Sequence, residues 1–234
     1  MPNLKPVLKL YMLDIKHSYV IFWSILCAVS VLSFVLAVSM PDITFGVSSN
    51  FAVYIYLSIS GFLMVKETLP YILGMNITRY HYYWGIVVGS LGLVVLSAIS
   101  LSAYVWFFGL LARWFDLSDR FNVTFIMSNA FMDNEMLTMF SLDLVIGLFL
   151  FSLFGLAGAA YYRFGWIPLM TAVVVWMAVI MTPFLRAPLI RLFEWVFVDP
   201  VSHISMLCLS LSVFFFGTLW LVIRRATIHP ANRQ

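Results

Sequence analysis

Tyr19-Val20-Ile21-Phe22-Trp23-Ser24-Ile25-Leu26-Cys27-Ala28-Val29-Ser30-Val31-Leu32-Ser33-Phe34-Val35-Leu36-Ala37-Val38-Ser39 runs for 21 residues without a charge. A helix needs about 20 apolar residues to cross roughly 30 Å of hydrocarbon, so this stretch has the length of a span. Lys5, Lys9 and Lys16 precede it, as in the basic region of a signal peptide. The apolar run is too long for a cleaved leader, and no small-residue cleavage site followed by a soluble domain comes after it, so it reads as a retained span.

Working outward, five further runs of the same kind follow at 43–65, 84–111, 136–162, 164–185 and 201–223. No water pairs the backbone inside a bilayer, so each run must pair its own amides, and a helix does this within one segment. The runs lack the polar and apolar alternation of a lipid-facing barrel. Composition agrees: 63% of residues are hydrophobic, 10% are charged, and the mean hydropathy is +1.02, far from a soluble domain. The expectation is an all-α integral membrane protein, one domain over 1–234, with six transmembrane helices.

Charge placement sets the orientation. With the N-terminus inside, the inner segments hold Lys5, Lys9, Lys16, Lys66, Arg79, Arg163, Arg224, Arg225 and Arg233, and the outer loops hold Arg113, Arg120, Arg186 and Arg191. Nine against four favours a multi-pass cell-membrane protein with both termini cytoplasmic. Residues 1–18 mix Leu4, Val7, Leu8, Leu10, Tyr11 and Leu13 with the three lysines, which predicts an amphipathic helix at the inner interface. On the outer side, 188–197 combines Leu189, Ile190, Leu192, Phe193, Trp195, Val196 and Phe197 with Arg191 and Glu194, which predicts a re-entrant segment between spans five and six.

The inner segment 67–83 carries the most information. Glu67 and Thr68 lie one turn before the apolar residues from Leu69 to Leu73, Pro70 fits a first helical turn, and Gly74 fits a helix stop. Tyr80, Tyr82, Tyr83 and Trp84 form an aromatic belt behind it. The spacing predicts a short helix at the cytoplasmic face.

Leu69-Pro70, Gly74, Thr78-Arg79 and Tyr82-Tyr83-x-Gly85, set among six spans, an amphipathic N-terminal helix and an apolar outer segment before the last span, resemble the permease subunits of bacterial type-2 ABC exporters. The resemblance implies that 67–83 is a coupling helix, with Glu67, Leu69, Pro70, Tyr71, Gly74, Thr78 and Arg79 meeting a cytosolic ABC ATPase subunit present in two copies. It implies a second permease chain, identical or homologous. It also implies a pathway lined from the second and fifth spans by residues such as Phe51, Tyr54, Tyr56, Met64, Met170, Trp176 and Met177. Their aromatic and thioether surface would suit an amphipathic peptide, an antibiotic or a lipid-like cargo.

The chain has no Gly-x-x-x-x-Gly-Lys-Ser/Thr phosphate loop, so ATP and Mg are expected on the partner ATPase and no cofactor on this chain. No metal-ligand spacing, nucleophile with a base, or nucleic-acid motif occurs; His17, His81, His203 and His229 are scattered, and Cys27 and Cys208 sit in apolar runs. Membrane lipid is the remaining partner. Asp143 is the one charge well inside a run and reads as a hydrogen-bonded aspartate near the outer end of the fourth span. Gly85, Gly89 and Gly92 in the third span, and Gly155 with Ala157 to Ala160 in the fourth, predict close helix packing. An ATP-independent secondary transporter or channel, and a membrane immunity or scaffold protein, are the competing functional classes.

Overall fold

The computed structural model describes residues 4–40, 43–74, 78–117, 121–123, 136–183, 186–188, 190–191, 195 and 200–224. The elements in chain order are α1 (Leu4–Ser39), β1 (Phe45–Val47), α2 (Ser49–Gly74), α3 (Arg79–Trp114), β2 (Phe121–Val123), α4 (Met136–Phe164), α5 (Ile167–Met181) and α6 (Pro200–Arg224). All of these helices except α5 are long and apolar enough to cross a membrane, which makes five. The protein is thus a helical one with the makings of a multi-pass membrane protein.

The structure redraws four boundaries. The first helix is continuous from Leu4 to Ser39, not an interfacial helix followed by a separate span. Residues 7–39 contain neither glycine nor proline, so nothing in the backbone breaks it. The second run opens late, because Phe45–Val47 pairs in parallel with Phe121–Val123 as a two-stranded ribbon and the helix starts only at Ser49. Phe45 and Val47 flank Gly46, a pattern that favours extended backbone over helix. The segment predicted as a separate short helix is instead the end of α2, which runs through Pro70 to Gly74.

The fifth run is also cut short. α5 has 15 residues, about 22 Å at 1.5 Å per residue, less than the hydrocarbon thickness. Its end is set by Pro183, whose ring disfavours helical backbone at the preceding residue; Thr182 is extended at φ −89°, ψ 114°. Beyond it, residues 183, 186–188, 190–191 and 195 are helical. Leu189, Leu192, Phe193, Glu194, Val196 and Phe197, on which the re-entrant expectation rests, lie outside the described residues, as do the side chains of 4–14.

α4 is the central helix, packed against α2, α3, α5 and α6. A core of Val53, Leu57, Val65 and Leu69 from α2, Tyr82, Ile86 and Val94 from α3, Phe151 and Ala159 from α4, and Leu219 and Ile223 from α6 joins four helices. A smaller cluster of Leu26, Ala37, Tyr104, Phe108, Ala112, Leu117 and Phe121 fixes α1 and β2 onto α3.

Small residues set the α2–α4 approach. A β-carbon on Gly61 would lie 2.5 Å from the Phe151 carbonyl oxygen, and one on Gly158 would collide with the Phe62 carbonyl. Without a strong solvophobic force between helices in lipid, such close backbone contact supplies the packing. The expectation for Gly155 to Ala160 therefore holds. Gly85 and Gly89 are also buried, whereas Gly92 faces open space.

Candidate functional site

The expected coupling segment forms an elbow between α2 and α3. α2 survives Pro70, although the proline removes one backbone donor. Thr68, one turn after Met64, turns its hydroxyl onto the Met64 carbonyl and also lies 2.9 Å from the Tyr82 hydroxyl on α3. Thr68, Leu69 and Tyr82 are all buried, so the two arms of the elbow are clamped from within.

The α3 arm is tied to α6 in turn. The Arg79 guanidinium donates through Nη1 to the Arg224 carbonyl at 2.6 Å, at the last residue of α6. A cation at that position suits the negative end of the helix dipole. The Tyr83 ring lies 5.1 Å from Trp220 and its hydroxyl donates to the Phe216 carbonyl at 3.2 Å. Tyr80 meets Trp220 edge-on at 6.2 Å. The aromatic belt is thus a seam between α3 and α6 rather than an isolated interfacial anchor.

The outer surface of the elbow is made by Glu67, Pro70, Tyr71, Gly74 and Thr78, all exposed, with Arg79 half-buried behind them. Tyr71 is 69% exposed. Leu69 is turned into the core, so among the residues assigned to docking it supports the surface from beneath. Beside the elbow, the Lys66 ammonium sits 5.8 Å from the Phe62 ring centroid and 5.1 Å from that of Tyr161, which ties α2 to the end of α4.

The residues expected to line a pathway do not converge within one chain. Phe51 is exposed, Met64 belongs to the core, and Tyr56 stacks on Phe22 of α1 at 4.6 Å. Met170, Trp176 and Met177 are exposed on α5, a helix with no buried residue at all.

Tyr54 instead belongs to a polar cluster near the start of α2, at the end of the bundle that carries the β1–β2 ribbon. Its hydroxyl donates to Asp143 Oδ1 at 2.5 Å, and Asn50 Nδ2 donates to the same oxygen at 2.8 Å. Asp143 is hydrogen-bonded, as its position suggests, and at 6% exposed it is buried among the helices. Asn50, one turn before Tyr54, gave no signal in the sequence, because it stands with Ser48 and Ser49 in a short polar patch inside the run 43–65 and nothing local pairs it with the fourth span. Among the described residues no group of three histidine, cysteine, aspartate or glutamate side chains could hold a metal ion.

Comparison of the chain with protein-family models, curated proteins and solved structures finds no match.

Proposed function

We propose that the chain is the transmembrane subunit of an ATP-driven ABC exporter, paired with a second permease chain and driven by two copies of a separate cytosolic ATPase. The observation that carries this reading is the elbow. Thr68 and Tyr82 clamp it internally, Arg79 and Tyr83 fasten it to α6, and Glu67, Pro70, Tyr71 and Gly74 face outward. A push on that surface reaches α2, α3 and α6 together, whereas a flexible loop would absorb it. In this reading the elbow is cytoplasmic, and α5 with the helical residues that follow it supplies the sixth membrane element. The exposed Met170, Trp176 and Met177 suit an amphipathic or apolar cargo.

The test is site-directed photocrosslinking in native membranes from Tyr71 and Glu67, with Val88, exposed about a quarter of the way along α3, as the control. The expected product is an adduct between position 71 and a chain carrying a phosphate-binding loop, absent from position 88. Adducts that never include a nucleotide-binding chain would refute the reading.

One observation favours a second reading, an ATP-independent carrier: a buried aspartate between helices is a common element of ion-coupled transport. Cargo uptake by proteoliposomes holding this chain alone, driven by an ion gradient, would establish it.

A further inference from the structure

Asp143 is bonded on one side only. Both of its protein donors, Tyr54 and Asn50, meet Oδ1, while Oδ2 is buried without a partner. The Asn50 amide has its orientation dictated by this contact, since the opposite placement would set its carbonyl oxygen against a carboxylate. Its Oδ1 is therefore turned away from Asp143 Oδ1, and it too is buried without a partner. Ser49 Oγ, on the adjacent residue, is a third such oxygen.

Three buried oxygens without partners, on Ser49, on the adjacent Asn50 and on the Asp143 that Asn50 bonds, need an account, because each costs about 1–3 kcal/mol if it stays unpaired. An ionised carboxylate enclosed by protein costs more still. Asp143 forms no ion pair with any described basic residue: its described contacts are Tyr54 and Asn50. The N-terminus of α2 offers on the order of half an elementary positive charge, which offsets part of the deficit and leaves the rest.

We propose that Ser49, Asn50 and Asp143 form a site for one monovalent cation, with Na⁺ the best match. The donors are a carboxylate oxygen, an amide carbonyl oxygen and a hydroxyl, a hard all-oxygen set that suits an alkali or alkaline-earth ion over a soft metal. A single carboxylate balances a single positive charge, which selects against a divalent ion. A proton on Oδ2 would satisfy that oxygen but could bond only one of the other two, and a water would leave the charge uncompensated. The bound ion joins the first turn of α2 to α4, the pair of helices that also meet at Gly61 and Gly158. The inference does not depend on whether the chain is an exporter permease.

The experiment uses the purified full chain in nanodiscs. Equilibrium binding of ²²Na⁺ is measured, and thermal unfolding is followed in NaCl, KCl and choline chloride at constant ionic strength. The expected result is saturable binding of about one ion per chain and a Tm that rises with Na⁺ but not with choline. Asn50→Ala should weaken the binding about tenfold or more. Asp143→Asn should abolish it while leaving the protein, in choline, at least as stable as the parent chain. Absence of saturable ²²Na⁺ binding to the parent chain overturns the proposal. So does binding that survives Asn50→Ala unchanged, or a Tm that follows pH while ignoring Na⁺, which would make the ligand a proton.

Discussion

The hydroxyl oxygens of Thr68 and Tyr82 lie 2.9 Å apart across the α2–α3 elbow, both shielded from solvent. The pair is unequal. Thr68 also bonds the Met64 carbonyl, whereas the described hydrogen bond of the Tyr82 hydroxyl is the one to Thr68. Tyr82→Phe removes one group and leaves Thr68 with its carbonyl partner, so the cost should be near the average for an interhelical bond in a membrane bundle, about 0.6 kcal/mol. Thr68→Val strands a buried phenol and should cost more, about 1–3 kcal/mol. Denaturation in mixed micelles of both variants and of the double variant measures the asymmetry. Equal single-variant costs that add in the double variant would show that the two hydroxyls do not communicate.

The contact between α2 and α4 makes a second prediction. Gly61→Ala and Gly158→Ala each drive a methyl group into a backbone carbonyl that cannot rotate away. Overpacking of this kind costs about 1–3 kcal/mol, and here the helices must separate to relieve it. Gly92→Ala places its methyl in open space and serves as the control, with no loss expected. Thermal unfolding of the three variants in one detergent gives the ranking.

The turn between α4 and α5 depends on one glycine. Gly165 has φ +71° and closes the end of α4 by donating its amide to the Tyr161 carbonyl at 2.8 Å. A β-carbon meets no neighbour there, so Gly165→Ala acts through the backbone alone and should cost about 1–2 kcal/mol. Gly165→Asn should recover part of that loss, because asparagine tolerates the left-handed region better than alanine. Equal stability of the two variants would mean that the turn relaxes to another conformation.

These features differ in how far the sequence exposes them. The helices from Arg79, Met136 and Pro200 are visible in composition, because an apolar run of span length has one physical solution in lipid. The breaks are harder. Pro70 and Pro183 are the same residue type, yet α2 continues through the first and α5 ends before the second. Around Pro70, the buried Thr68, Leu69 and Tyr82 hold the backbone in place, whereas α5 has no buried side chain to do so. That support is tertiary, and no local pattern encodes it. The Asn50–Asp143 bond spans 93 positions and is invisible for the same reason. Glu67, Pro70 and Tyr71 are exposed, as the surface role implied by the resemblance requires, but the inward turn of Leu69 needed the helix phase that the continuous α2 provides.

Arg79 offers a test of local order. Its guanidinium is bonded to the last carbonyl of α6, so Arg79→Ala should let the final turn of that helix fray. The loss at a helix C-terminus is about 0.3–1 kcal/mol, too small to unfold the bundle. Amide exchange over 220–224 should accelerate while exchange over α4 stays unchanged. Arg79→Lys keeps the charge and should retain most of the protection. Acceleration spread evenly over the bundle would assign Arg79 a global role instead.

The helix α5 bears on whether two chains associate. It carries no buried side chain, with Met170 and Met177 seven residues apart and therefore on one stripe, and Val175 about 160° away from Met177 around the axis. If a second permease chain packs against the Met170 stripe, a cysteine at 177 should form a disulfide between copies under mild oxidation, and one at 175 should not. The native Cys27 and Cys208 are first replaced, Cys27 by serine and Cys208 by alanine, because Cys27 is exposed and would crosslink on its own. Lipid-facing residues on all sides of α5 predict the opposite pattern: no dimer from either position, and equal reaction of both with a membrane-permeant maleimide. Dimer formation at 177 alone would assign one face of this short helix to a neighbouring chain and leave the other to lipid, the division that a pathway between two permeases requires.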